Sequence, residues 1–153
     1  MFNLIVGSHE GVIAKERLFE STSEEVRSTL GGDPYHKLVK LPAVVMPEVG
    51  NSTAEQIAQI GRIVSIMEVG KDIVFEFQVD SSIPPIATGV IEQLAIALDA
   101  DSDWWGWNRT RWSVKDVDLY EVLLKHVFLA ATTSDSEGSS AISFPTTEAR
   151  DSS

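Results

Sequence analysis

The sequence predicts a mixed α+β domain in which a small antiparallel sheet precedes two C-terminal helices. Three observations carry that expectation. Residues 60–67 and 72–79 form two β-rich runs joined by Glu68-Val69-Gly70-Lys71. In the second run Ile73, Phe75, Phe77 and Val79 alternate with Asp72, Val74, Glu76 and Gln78, which is period two with one clean apolar face. Further on, Ile86, Val90, Ile91, Leu94, Ala95 and Leu98 recur at helical spacing after a Pro84-Pro85 break.

Taken in order, Phe2, Leu4 and Val6 alternate with Asn3 and Ile5 and suggest a short strand. Val12 to Phe19 fits either a strand or a helical turn. Ser21 with Glu24, and Thr22 with Glu25, are overlapping capping boxes for a short helix ending at Leu30, where Gly31-Gly32 permits the stop. Asp33-Pro34 marks a turn. The branched run KLVKLPAVVM, 37–46, reads as an edge strand or as two short strands hinged at Pro42, which lacks a ladder donor. Residues 47–53 read as loop, and 54–60 fits a helix start or a strand.

Gly70 permits the turn of the 60–79 hairpin. Pro84 and Pro85 end its second strand and open a helix running to about Leu98. Ser113, three residues before Asp116, reads as the cap of a last helix through Val117, Tyr120, Leu124 and Val127, ending near Phe128. About five strands are expected, curled into a small SH3-like or related barrel with the two helices packed on it. Residues 1–130 are expected to form this single domain, and the Ser/Thr-rich stretch 131–153 a disordered tail.

Composition narrows the function. The chain of 153 residues holds 12 Lys and Arg against 23 Asp and Glu, a formal charge of −11, and so disfavours nucleic acid and anionic membranes as partners. Without cysteine it has no disulfide, thiolate zinc site or thiol nucleophile. MFNLIV lacks the pattern of a secretory signal, and no apolar run approaches a transmembrane span, so a cytoplasmic location is expected. His9, His36 and His126 are scattered without metal-ligand spacing. Asp99, Asp101 and Asp103 resemble the opening of a calcium loop, but the glycine and terminal glutamate of that loop are missing. No metal or cofactor is expected.

One segment departs from the acidic background. WWGWNRTRW, 104–112, holds all four tryptophans, and Arg109, Arg111 and Lys115 accompany them without a carboxylate. Crossing between two helices, its rings can close one end of the fold. Trp104, Trp105 and Trp107 cannot all point the same way, so at least one is expected at the surface. Arg109 and Arg111 share parity in an extended stretch and suit an anionic ligand or a partner's carboxylates. The expected ligand- or partner-binding residues are therefore Trp105, Trp107, Arg109, Arg111 and Lys115.

Two stretches, GRIVSIMEVGKDIVFEFQVDSSIPPI and NRTRWSVKDVDLYEVL, resemble a group of small bacterial proteins and modules. Their pattern is a D-x-x-I-P-P-I exit followed by R-T-H-W-[AS]-[VI]-K-D-x-D-L. The resemblance covers about residues 57–124, and Arg111 stands where the pattern has histidine. It implies a bacterial setting and a link to signalling or defence, and it assigns no activity. The expected function is a non-enzymatic regulatory or protein-interaction module that engages a protein partner or a small anionic ligand. The alternative is a small enzyme acting on a nucleotide-like or other anionic substrate, with Asp116 or Asp118 as acid or base.

Overall fold

The computed structural model describes residues 1–8, 10–48, 56–100 and 110–128. The chain divides into two units, Met1–Leu119 and Tyr120–Ser153. The first unit is built on a mixed sheet of β1 (Phe2–Val6), β2 (Val12–Ala14), β3 (Pro42–Met46), β4 (Ile57–Val69), β5 (Asp72–Val79), β6 (Ile86–Ala87) and β7 (Arg111–Lys115). The strand order is β2-β5-β4-β3-β1-β7, with β6 paired to β4. The sheet is open, with β2 and β7 at its ends, so the expected barrel closure is replaced by a twisted sheet. It is not wholly antiparallel either, because β1 and β3 run parallel in the register Asn3↔Ala43 to Val6↔Met46.

Register explains the core. One face carries Ile5, Ala43, Ile63, Ile73, Phe75, Trp112 and Val114, joined by Val26, Leu30 and Leu38 from α1 (Glu24–Leu30) and α2 (Pro34–Leu38). Each fully buried large apolar side chain stabilises the fold by about 1.5–3 kcal/mol. A bulge between Ile63 and Ser65 keeps this face continuous. The extra residue shifts parity, so Ile66 and Glu68 follow Ile63 onto the helix-covered side while Val64, Met67 and Val69 turn to the other. The opposite face is buried at Phe2, Leu4, Val6, Val44, Met46, Ala58 and Ile60. β1 is thus covered on both faces, which accounts for its nearly continuous apolar run.

Several local expectations change. The cap of α1 is Ser23, whose Oγ accepts from Val26 N at 3.2 Å, rather than Ser21 or Thr22. Pro42 opens a central strand, where a missing donor at the first position disturbs least of the ladder. The helix after the Pro-Pro exit, α3 (Thr88–Gln93), is short and gives way to turns before Leu98. Ser113 caps nothing: it lies in the middle of β7, opposite Leu4. The last helix, α4 (Leu119–Leu123), starts later and passes into a π-helical turn, Leu124–Phe128. The expected tail from 131 onward lies outside the described residues.

Candidate functional site

Of the residues expected to bind, Trp105, Trp107 and Arg109 lie outside the described residues. Arg111 and Lys115 are described, and they are not displayed. Both sit on β7, 1% and 4% exposed, on the strand face opposite Trp112 and Val114. Arg111 Nη1 donates to Ser113 Oγ at 2.5 Å, and Lys115 Nζ donates to the Ser21 carbonyl at 2.6 Å. Residues so placed act first as parts of the fold.

The partner of β7 on its outer side is the segment Leu18–Thr22. Phe19 N donates to the Trp112 carbonyl (2.7 Å), Ser113 Oγ to the Glu20 carbonyl (2.6 Å), and Val114 N to Thr22 Oγ1 (3.0 Å). Phe19 and Ser21 adopt left-handed φ values of 70° and 57°. That backbone is costly for a bulky residue and is held here by the bonds just named and by the Arg27 guanidinium 5.2 Å over the Phe19 ring. The segment closes an edge that would otherwise offer a free ladder.

Asp116 and Asp118, the alternative acid or base, are exposed between β7 and α4. They line neither of two shallow cavities. One, of about 260 Å³, is lined by Asp33, Tyr35, His36, Val39 and Ile66. The other, of about 390 Å³, is lined by Phe19, Glu24, Arg27, Ser28 and Gly31. Beside the first, Tyr35 donates to Glu68 Oε2 (2.7 Å) and Lys15 Nζ donates to Glu68 Oε1 (2.8 Å). The bonds from Lys15 and Tyr35 lower the Glu68 pKa. Burial, with the Glu68 bond and charge, pushes the Tyr35 phenol up to about 12. This triad ties α2 to the β4–β5 hairpin and the start of the turn after β2.

The feature that stands out from the packing is the far end of that hairpin. Pairing of β3 to β4 stops at Pro42↔Arg62, so β4 runs on with only β5 beside it, and β5 with β2. On this three-stranded arm the face toward α2 is packed by Ile13, Ile66, Ile73, Phe75, Tyr35 and Val39. The other face holds a cross-strand row, Val12↔Val74↔Met67, with Val69 and Val64 to either side. All five are exposed, Met67 at 62% and Val69 at 52%. The alternation along β5 is legible in the sequence, with Val74 on the side opposite the clean apolar face. The bulge that gathers Val64, Met67 and Val69 around it carries no clear sequence signal.

Among the described residues no group of three or more His, Cys, Asp or Glu side chains is placed to hold a metal ion, and no helix is long and apolar enough to cross a membrane. Asp101 and Asp103 of the D-x-D-x-D stretch lie outside the described residues, as does His9. Comparison of the chain with protein-family models, curated proteins and solved structures returns no match.

Proposed function

We propose that the protein is a non-enzymatic interaction module that binds a protein partner through the open face of the β2–β5–β4 arm. The observation carrying this reading is the exposed row Val12–Val74–Met67, extended by Val64 and Val69. An isolated exposed valine means little, but five apolar side chains gathered on one rigid sheet face are the kind of surface that marks a binding site. The arm is held from behind by α2 and the Tyr35–Glu68–Lys15 bonds, so its face is preformed and little ordering is needed on binding. The burial of Arg111 and Lys115 moves the weight away from those two cations.

The test is the double substitution Met67→Ser with Val74→Ser. Both side chains point to solvent, so the melting temperature should stay within about 4 °C of the parent, the shift for about 1 kcal/mol. Capture of the protein's partner from the host lysate should be lost. Capture at parental strength by the folded variant would defeat the proposal.

A further inference from the structure

Resting on that reading, we infer that the partner presents a net-basic, apolar-centred protein segment to the arm. The charges on the open face set this. Along β5, Asp72, Val74 and Glu76 share the face, so the apolar row passes between two carboxylates about 13 Å apart at ~3.3 Å per strand residue. β2 adds Val12 and Ala14, and the far end of β5 adds Gln78. No cation belongs to either strand on this side. Arg62, the one basic side chain that β4 brings to the face, is hydrogen-bonded to Gln78 Oε1 through Nε (3.4 Å) and Nη2 (3.3 Å). Lys15 is turned to Glu68 on the opposite face.

The surface is therefore apolar at its centre with a carboxylate on two sides, and the Arg62 cation stands beyond Glu76 beside Gln78. An acidic partner, or a second copy of this chain with its own charge of −11, would meet like charges there. A segment with an apolar face and flanking Lys or Arg would place each cation against Asp72 or Glu76, and the same overall charge would speed its approach. The apolar row supplies the contact area, and the carboxylates select among apolar partners.

Two helical peptides test this, each with leucine at i, i+3, i+4 and i+7 and with either lysine or glutamate elsewhere. Binding to the full chain is followed by fluorescence anisotropy of the labelled peptide. The lysine peptide should bind at least about tenfold more tightly than the glutamate peptide. Met67→Ser with Val74→Ser, and separately Asp72→Asn with Glu76→Gln, should each weaken it about tenfold. Glu24→Gln with Glu25→Gln removes the same charge from exposed sites on α1, which packs on the opposite face of the sheet, and should change binding less than about twofold.

Equal losses from the two carboxylate pairs would overturn the inference, because overall charge alone would explain binding. Loss with the Met67/Val74 variant but not with the Asp72/Glu76 variant would overturn it too, while leaving the arm face standing as an interaction surface. Indifference to Met67 and Val74, or no saturable binding of either peptide up to about 1 mM, would overturn both. A doubling of mass with concentration in light scattering, abolished by Met67→Ser, would assign the face to a second copy instead.

Discussion

The indole N–H of Trp112 donates to Asn3 Oδ1 at 2.9 Å, and both side chains are fully buried. The Asn3 amide in turn donates to the carbonyls of Leu38 (3.0 Å) and Pro42 (3.4 Å). One polar side chain in the middle of an apolar strand thus ties β7, the end of α2 and the start of β3 together. Phe75 meets the Trp112 ring edge-on, with centroids 5.1 Å apart and planes at 66°. The fourth tryptophan of the sequence cluster is therefore a core residue with its polar handle satisfied.

Removing Asn3 should be costly out of proportion to its size. Asn3→Ala leaves the Trp112 N–H and the Leu38 carbonyl buried without this partner, at about 1–3 kcal/mol each. Trp112→Phe keeps most of the ring but leaves Asn3 Oδ1 unmatched. In urea unfolding the two substitutions should prove non-additive, with a coupling of about 1 kcal/mol or more in a double-mutant cycle. Simple additivity would contradict the hydrogen bond.

Arg111 gives a second test, because display and burial lead to opposite results. A displayed arginine replaced by alanine changes stability within about 0.5 kcal/mol. Buried on β7 and bonded to Ser113, Arg111→Ala should cost more than about 1 kcal/mol by loss of packing and of a charged hydrogen bond. The midpoint of chemical unfolding reads the difference directly.

Much of the fold was legible because period and turn chemistry act locally. The β4–β5 hairpin, β1, and the helix between Ser23 and Gly31 all follow from alternation, capping hydroxyls and a glycine stop. β7 was missed although its signal is present: Trp112 and Val114 alternate with Arg111, Ser113 and Lys115. The Ser113–Asp116 spacing imitates a helix cap, and the two buried cations made the strand look like a surface. The parallel β1–β3 pairing and the cover of Leu18–Thr22 over β7 depend on residues about 40 and 90 positions apart, which no short window can join. The arm face needed both the bulge and the end of β3 to be seen.

Glycines in the central part of β4 and in α3 should respond in opposite directions. A Cβ on Gly61 would stand 2.0 Å from the backbone carbonyl oxygen of Gln78, which cannot move without breaking the β4–β5 ladder. Gly61→Ala should destabilise by about 1–3 kcal/mol or more. Gly89, within α3, has nothing within 4 Å of that position and no left-handed φ. Gly89→Ala should stabilise by about 0.5–1 kcal/mol. Melting temperatures of the two variants, moving down and up respectively, check the claim.

The Tyr35–Glu68–Lys15 bonds make stability depend on pH at both extremes. The Tyr35 phenol is raised in the fold, so its contribution is fully present below the ordinary value of 10.0 and is lost as pH climbs toward about 12. Glu68 is lowered, so its contribution is present above the ordinary 4.5 and is lost as pH falls through the folded value. In phenolate absorbance the Tyr35 step should appear only as pH climbs toward about 12. Tyr35→Phe should remove that late step and flatten the alkaline loss of stability. An unchanged titration curve would show that the phenol does not meet Glu68 in solution.

The most direct test of the arm as the binding surface is an NMR titration that follows methyl and indole signals together as the captured partner is added. The expected result is that perturbation concentrates on the methyls of Val12, Met67, Val69 and Val74 while the indole signals of Trp105 and Trp107 stay in place. Shifts confined to those indoles, with the arm methyls unmoved, would contradict the assignment and return the binding site to the tryptophan segment.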